Sequence, residues 1–297
     1  MRTEKRRDKA GKLKKIFWVS LSVAVVLLFL WYVAERIGFG ERLPEGVVSV
    51  HYIDVGQGAC ALIRTPGGNV LIDTGEYDYI DKVSGYLREN GVKTIAALIA
   101  THPHGDHIGG MAAIIGDFNI DRVIMPRAES IGRAYERMLL AMKEYGLKAH
   151  VPVVGETFAL GGAEFTVLAP NATDYENVNN YSVVLRMEYG RHGFLFTGDA
   201  EGLSEREMLR NEYELSADFL QIGHHGSKTS TTEAFLAAVG PKLAFIGVGK
   251  GNSFGHPHPS ILERLDNYGV GVYRTDRHGD IVVETDGRQF RIITEKG

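Results

Sequence analysis

The run 100-ATHPHGDHIGG-110 constrains this chain more than any other stretch, because His102, His104, Asp106 and His107 follow directly on residues 95–100, a short unbroken apolar run. A run of that length fits a strand buried on both faces. Any fold must therefore bury the strand and still satisfy four polar groups at its end. Imidazoles and carboxylates are nitrogen and oxygen donors suited to zinc, manganese or iron. His102 and His104 are two apart, so an extended backbone points both rings to one side. Gly105 is expected to relax the turn into Asp106 and His107. Four adjacent donors crowd one tetrahedral ion but fit two ions about 3.5–4 Å apart. Clefts at strand ends are where sites usually form, which favours this reading over a surface loop that happens to hold histidines.

Three later segments repeat the arrangement. In 194-FLFTGDAEG-202, Asp199 follows a buried-looking strand, where an uncompensated carboxylate is costly; a bridging place between two cations would satisfy it. Capping the helix that follows is the plainer alternative. In 219-FLQIGHHGSKTS-230, His224 and His225 again stand at a strand end, and Gly226, Ser227 and Lys228 offer amides, a hydroxyl and an ammonium to a phosphate oxygen. In 252-NSFGHPHPS-260, His256 and His258 lie among prolines, with either a substrate or metal role or a stiff loop capping a helix at Ser260.

Around these segments strands and helices alternate. Helices are expected at 81–90, 131–145, 202–211, 232–239 and 260–268. Strands are expected at 47–54, in a hairpin of 59–64 with 69–72, and at 95–100, 164–168, 218–222 and 243–248. A second hairpin joins 182–189 to 194–197 through 190–193, and further strands fall near 271–274, 280–284 and 289–294. Mixed sheets covered by helices follow from that alternation. Without a linker or repeat, residues 46–297 read as one domain, and Cys60 alone forms no internal disulfide.

The first 37 residues are different. Residues 16–34 (IFWVSLSVAVVLLFLWYVA) hold no charged side chain, long enough to span a bilayer as a helix. The apolar core exceeds a signal peptide's and no A-x-A site follows, so residues 16–37 are expected to stay as an uncleaved anchor. The basic flank, residues 1–15, carries eight Lys/Arg against Glu4 and Asp8, a net +6. Positive flanks remain cytoplasmic, which makes this a single-pass plasma-membrane protein with its globular domain outside the cytoplasm. With −4 overall, the rest of the chain carries −10, so a polyanionic partner needs metal ions and local basic residues to approach it.

THPHGDH matches the H-x-H-x-D-H signature of the metallo-β-lactamase superfamily, and Ile72-Asp73-Thr74-Gly75, Thr197-Gly198-Asp199 and His224-His225-Gly226 resemble its other elements in order. More narrowly, 53-IDVGQG-58, NNYS at 179–182, HHGSKTS and GHPHP resemble the extracytoplasmic hydrolase domain of ComEC-type DNA-uptake proteins. The resemblance implies an αβ/βα sandwich with a two-metal cleft along one edge, holding two divalent ions, zinc or manganese. It implies His102 and His104 on the first ion and Asp106 and His107 on the second. Asp199 would bridge, His224 or His225 would complete the second site, and Asp73 would steady the ligand loop. No histidine occupies the stretch that usually gives the first site its third nitrogen. Asn179, Asn180 and Ser182 stand there, as in ComEC-like domains. Where that family continues G-Q-G-D-A, this chain has Ala59-Cys60, and only one apolar span replaces the multi-spanning channel.

The expected function is thus a membrane-anchored, metal-dependent phosphodiesterase or nuclease of competence type, acting on extracellular DNA or RNA. Cell-wall polymers are the rival phosphodiester. The same ligand set also fits hydrolysis of a lactone, thioester or β-lactam, and a decayed site would leave a non-catalytic module that binds DNA or polymer. Asp106 or Asp199 would orient the attacking hydroxide. Lys228 with His256 or His258 would hold the phosphate or protonate the leaving group, and Asn180, Ser182 and Ser227 would line the substrate.

Overall fold

The computed structural model describes Trp18 and residues 43–296. The chain divides into two compact units, Met1–Arg42 with Arg88–Gly91, and Leu43–Leu87 with Val92–Gly297. Of the first, only Trp18 and Arg88–Gly91 are described; Gly91 N closes a turn onto Arg88 O at 2.9 Å. The expected anchor, residues 16–37, lies outside the described residues apart from Trp18. Among the described residues no helix is long and apolar enough to cross a membrane.

In the second unit two sheets face each other. One contains β1 (Val48–Tyr52), β2 (Ala61–Thr65) and β3 (Gly68–Ile72); the short β4 (Thr94–Ile95) stands apart from it, and β5 (Ala97–Ile99) rejoins it. Beyond these, β6 (Asn119–Ile120) pairs with β4, while β7 (Val123–Ile124) and β8 (Ala149–His150) extend the large sheet. The facing sheet holds β9 (Thr157–Leu160), β10 (Ala163–Ala169), β11 (Val184–Tyr189), β12 (His192–Phe196), β13 (Phe219–Gln221), β14 (Leu243–Ile246) and β15 (Gly271–Arg274). The chain then returns to the first sheet through β16 (Ile281–Thr285) and β17 (Phe290–Thr294), giving the orders β17-β16-β1-β2-β3-β5-β7-β8 and β15-β14-β13-β12-β11-β10-β9. Each sheet has an antiparallel half and a parallel half; β3, β5, β7 and β8 run parallel in one, and β12 to β15 in the other.

Side chains alternate across a strand, and that period sorts the apolar residues into three layers. Val50, Ile63, Val70 and Ile99 point inward to meet Phe165, Met187, Phe194, Phe219 and Phe245 of the opposite sheet. Tyr52 stacks on Phe245 across the interface, with ring centroids 4.2 Å apart. Each such ring contributes about 1.5–3 kcal/mol by leaving water. The intervening Leu62, Leu71 and Leu98 face outward under Val83 and Leu87 of helix Ile80–Glu89, Ile114 of helix Met111–Asp117 and Met138 of helix Arg133–Glu144. On the other side Leu195, Leu220 and Ala244 lie under Met208, Phe235, Leu236 and Leu265 of helices Gly202–Arg210, Glu233–Val239 and Pro259–Asn267. The result is a mixed α/β sandwich, helices outside and sheets within.

The strand expected over 95–100 is broken at Ala96, whose N–H donates to Asn69 O, so that β4 pairs with β6 and only β5 joins the large sheet. The expected 190–193 turn is shorter. His192 is on β12, buried, with its Nδ1 2.6 Å from Thr285 Oγ1. Helix Met111–Asp117 and strands β6, β7, β8 and β9 have no counterpart among the expected elements, because none carries a strong periodic signal.

Candidate metal centre

Asp73, the 101–107 loop, Asp199 and His224–His225 each follow the C-terminal end of a strand in a parallel half, namely β3, β5, β12 and β13. The sandwich aims these ends at one place. His104 lies on extended backbone and His102 at a bend just before it, with His102 Nε2 3.0 Å from His104 Nδ1. Asp106 and His107 sit in a helical turn, Gly105–Ile108, instead of the relaxed loop expected at Gly105, which has an ordinary backbone and open space around it. One turn sets the His107 ring 4.2 Å from that of His102, with its Nε2 on Asp199 Oδ1. Gly58 lets the 53–58 loop close over this turn: at φ +152°, a Cβ there would lie 2.4 Å from Asp106 O. Ala59 N donates to the same carbonyl at 3.2 Å, so Ala59 borders the site at the position where the ComEC-like pattern has Asp.

Donor and acceptor bookkeeping defines what faces inward. His107 Nδ1 is 2.7 Å from Asp73 Oδ2, a carboxylate that can only accept, so Nδ1 carries the proton. His225 Nδ1 is 2.9 Å from Gly247 O and must donate too. Thr101 gives its hydroxyl proton to Asp73 Oδ2 at 2.7 Å, leaving its oxygen to accept from His102 Nδ1 at 3.1 Å. Each of these rings, when neutral, therefore turns an Nε2 lone pair inward.

Those lone pairs meet further acceptors. His107 Nε2 is 3.1 Å from Asp199 Oδ1 and 3.3 Å from His225 Nε2; His225 Nε2 is 3.2 Å from Asp106 Oδ2 and 3.6 Å from Asp199 Oδ1. His102 Nε2 is 3.7 Å from Asp199 Oδ2. Despite these short approaches, buried Asp199 Oδ1 has no hydrogen-bond donor among the described residues. Two ligands on one tetrahedral zinc, with Zn–N of ~2.0–2.1 Å, lie roughly 3.4 Å apart. The residues therefore fit a pair of divalent ions: Asp106, His107, His225 and Asp199 Oδ1 around one position, with His102, His104 and Asp199 Oδ2 around the other. Among the described residues, His102 with His107 and Asp199, and Asp106 with His107 and His225, bring their donor atoms within 4.8 Å of one another, so His107 stands between the two positions.

The electrostatics agree with an excess of buried acceptors. Burial opposes charging His107, yet Asp199 and Asp73 push its pKa well above the ordinary value. For His225, burial is likewise overcome by Asp199 and Asp106. Burial and the neighbouring His107 drive His102 well down. Asp199, despite burial, is held well below the carboxylate range by His107 and His225. In the cation-free chain a proton screens these carboxylates; a cation screens them all at once.

The remaining candidates divide. Ser182 is in the site, accepting from Asp199 N at 3.0 Å and standing 3.4 Å from His102 Nδ1. His256 is beside it, 5.7 Å from the His224 ring. Asn180 is turned away, its amide oxygen receiving Glu201 N and Ser204 N at 3.3 Å each. Ser227 spends its N–H on His224 O and bonds its hydroxyl to Thr229, so the expected amide–hydroxyl–ammonium cradle does not form; the tight turn consumes it, and only Lys228 projects into solvent. His258 is the N-cap of helix Pro259–Asn267, its ring accepting from Ser260 N at 3.2 Å. Asp199 caps nothing: Glu201 is the N-cap residue of helix Gly202–Arg210.

Thr101, Glu201 and Thr229 are site residues that the sequence did not reveal. Glu201 had one usable signal, a second carboxylate two residues beyond Asp199.

A family model described as the metallo-beta-lactamase superfamily matches residues 53–250. The chain is 35% identical over 255 residues to ComE operon protein 3 of Bacillus subtilis (strain 168), covering 80% of this chain and 33% of that protein. It is 29% identical over 287 residues to Recombination protein 2 of Haemophilus influenzae, covering 94% of this chain and 32% of that one. The chain thus spans about a third of the length of these relatives. Among solved structures, the metallo-beta-lactamase fold protein YhfI from Bacillus subtilis superposes with a TM-score of 0.56 at 14% identity, over 80% of this chain and 100% of that one, a likeness of fold.

Proposed function

Because the chain belongs to the metallo-β-lactamase superfamily, with ComEC-type proteins among its relatives, we propose that it is a metal-dependent phosphodiesterase acting on nucleic acid outside the cytoplasm. The observation that carries the hydrolase reading is the convergence of imidazole nitrogens and carboxylate oxygens around Asp199, a donor set that suits divalent cations. Divalent ions, which His102, His104, Asp106, His107, Asp199 and His225 would hold, would supply an activated water and polarise a phosphoryl oxygen. Asp106, whose carboxylate is one-quarter exposed, would accept a hydrogen bond from the attacking water and orient it. His256, its pKa lowered by burial and by His224, offers a neutral imidazole as hydrogen-bond partner to the leaving oxygen. Lys228 brings the positive charge that an acidic domain needs to approach a phosphate.

The nucleic-acid reading is supported by the name of one relative, Recombination protein 2, and by Phe254. That ring is 67% exposed and stacks on His256 at 5.9 Å, a platform on which an unpaired base can stack. The test is turnover of bis(p-nitrophenyl) phosphate and of single-stranded DNA by the full chain in detergent, with manganese or zinc. Both are expected to be cleaved, and Asp199→Asn is expected to abolish both. Rapid lactone hydrolysis with no phosphodiester turnover would replace this reading.

A further inference from the structure

We propose that His224 supplies the third nitrogen of the first cation position, with Glu201 as the carboxylate that aims it and Asn179 as the residue that holds Glu201. The inference rests on the two-cation reading of the site and adds a ligand to it.

His102 Nε2, His104 Nδ1 and Asp199 Oδ2 leave that position one ligand short of four. His224 Nε2 is 3.8 Å from Asp199 Oδ2, matching the 3.7 Å of His102 Nε2 from the same oxygen.

Backbone geometry gives an independent reason. Successive residues of a strand point to opposite faces, so His224 and His225 could not both reach Asp199 from an extended segment. Both are left-handed, at φ 51°, ψ 45° and φ 55°, ψ 22°, a conformation rarely adopted by residues with a Cβ. In this turn one imidazole approaches Oδ2 and the next approaches Oδ1.

A carboxylate and a threonine hydroxyl flank His224 Nδ1, as Asp73 and Thr101 flank His107 Nδ1, with the Asn179 amide nitrogen also 3.4 Å from His224 Nδ1. Glu201 Oε1 lies 3.2 Å from it, as Asp73 Oδ2 lies 2.7 Å from His107 Nδ1. Thr229 Oγ1 donates to Glu201 Oε1 at 3.1 Å and, 3.3 Å from His224 Nδ1, is left to accept its proton. Asn179 Nδ2 donates to the same Glu201 oxygen at 3.1 Å, and Asn177 Nδ2 donates to the other at 3.0 Å. A carboxylate behind an imidazole fixes its tautomer and directs the opposite nitrogen to a metal. Asn179 presents a hydrogen-bond donor to this arrangement, which excludes that amide nitrogen as a ligand.

The test is titration of the metal-free full chain with Mn(II) alone, read by calorimetry and electron paramagnetic resonance. Wild type is expected to take up two ions and show an exchange-coupled pair. His224→Gly, which removes the ring and accommodates the left-handed backbone, is expected to bind one ion with an uncoupled six-line spectrum. Glu201→Gln is expected to bind two with the weaker step reduced 10–100-fold. Two coupled ions in His224→Gly and unchanged affinities in Glu201→Gln would overturn the proposal. Two ions in wild type without phosphodiester turnover would sink the proposed activity and leave this ligand assignment standing. No ion in wild type would end both.

Discussion

The His107 imidazole is clamped between two carboxylates, Asp73 at Nδ1 and Asp199 at Nε2. Burial disfavours its charge, but the carboxylates prevail and raise its pKa well above the ordinary value. A raised folded-state pKa stabilises the metal-free chain fully below the unfolded value of about 6.5, and the benefit is lost as pH rises through the folded value. Metal binding has the opposite sign, since the ion needs Nε2 bare. The gain in Tm on adding metal should therefore grow between pH 6 and pH 8, with protons released on binding; a gain that is flat across that range would contradict the assignment. Asp73→Asn tests the other side of the ring. Asn tolerates the left-handed backbone of Asp73 (φ 57°), so the fold should persist while metal affinity falls ~10–100-fold, measured by competition with a chromogenic chelator.

At the scale of elements, two short turns decide the site. Gly105–Ile108 sets His107 against His102 and turns Asp106 to His225, and the Gly223–Gly226 turn splits His224 from His225. Two left-handed residues in succession cost ~1–3 kcal/mol each, a strain that surrounding hydrogen bonds must hold. The 53–58 loop buttresses the first turn through Gly58. Gly58→Ala is expected to destabilise the chain by about 1–3 kcal/mol, since the new methyl group meets Asp106 O and something must shift. A urea midpoint measures that loss, and the second cation position, which contains Asp106, should weaken more than the first. Equal weakening of both would show that the loop supports the whole cleft.

For the whole molecule, residues 1–42 carry the remaining expectation. Their basic flank and apolar stretch predict that protease added to intact cells or spheroplasts releases a fragment containing Asp199; complete protection would place the domain on the cytoplasmic side. By itself the sequence determined mixed sheets covered by helices, and its motifs named imidazoles and carboxylates that the fold brings together; the sandwich followed from the family resemblance. Period-two apolar patterning specifies which face of each strand is buried, and a polar residue just after a short apolar run, as at His102, Asp199 and His224, must find a partner. The β9 and β6 strands were illegible because pairing partners far along the chain, not local pattern, make them strands. Tertiary structure alone decided which oxygen of Asp199 each imidazole approaches, and turned Asn180 and Ser227 to structural use. Those outcomes depend on backbone dihedrals at two histidines and on which ring nitrogen a distant carboxylate occupies. Both are set by packing between segments that adjacency in the chain does not encode.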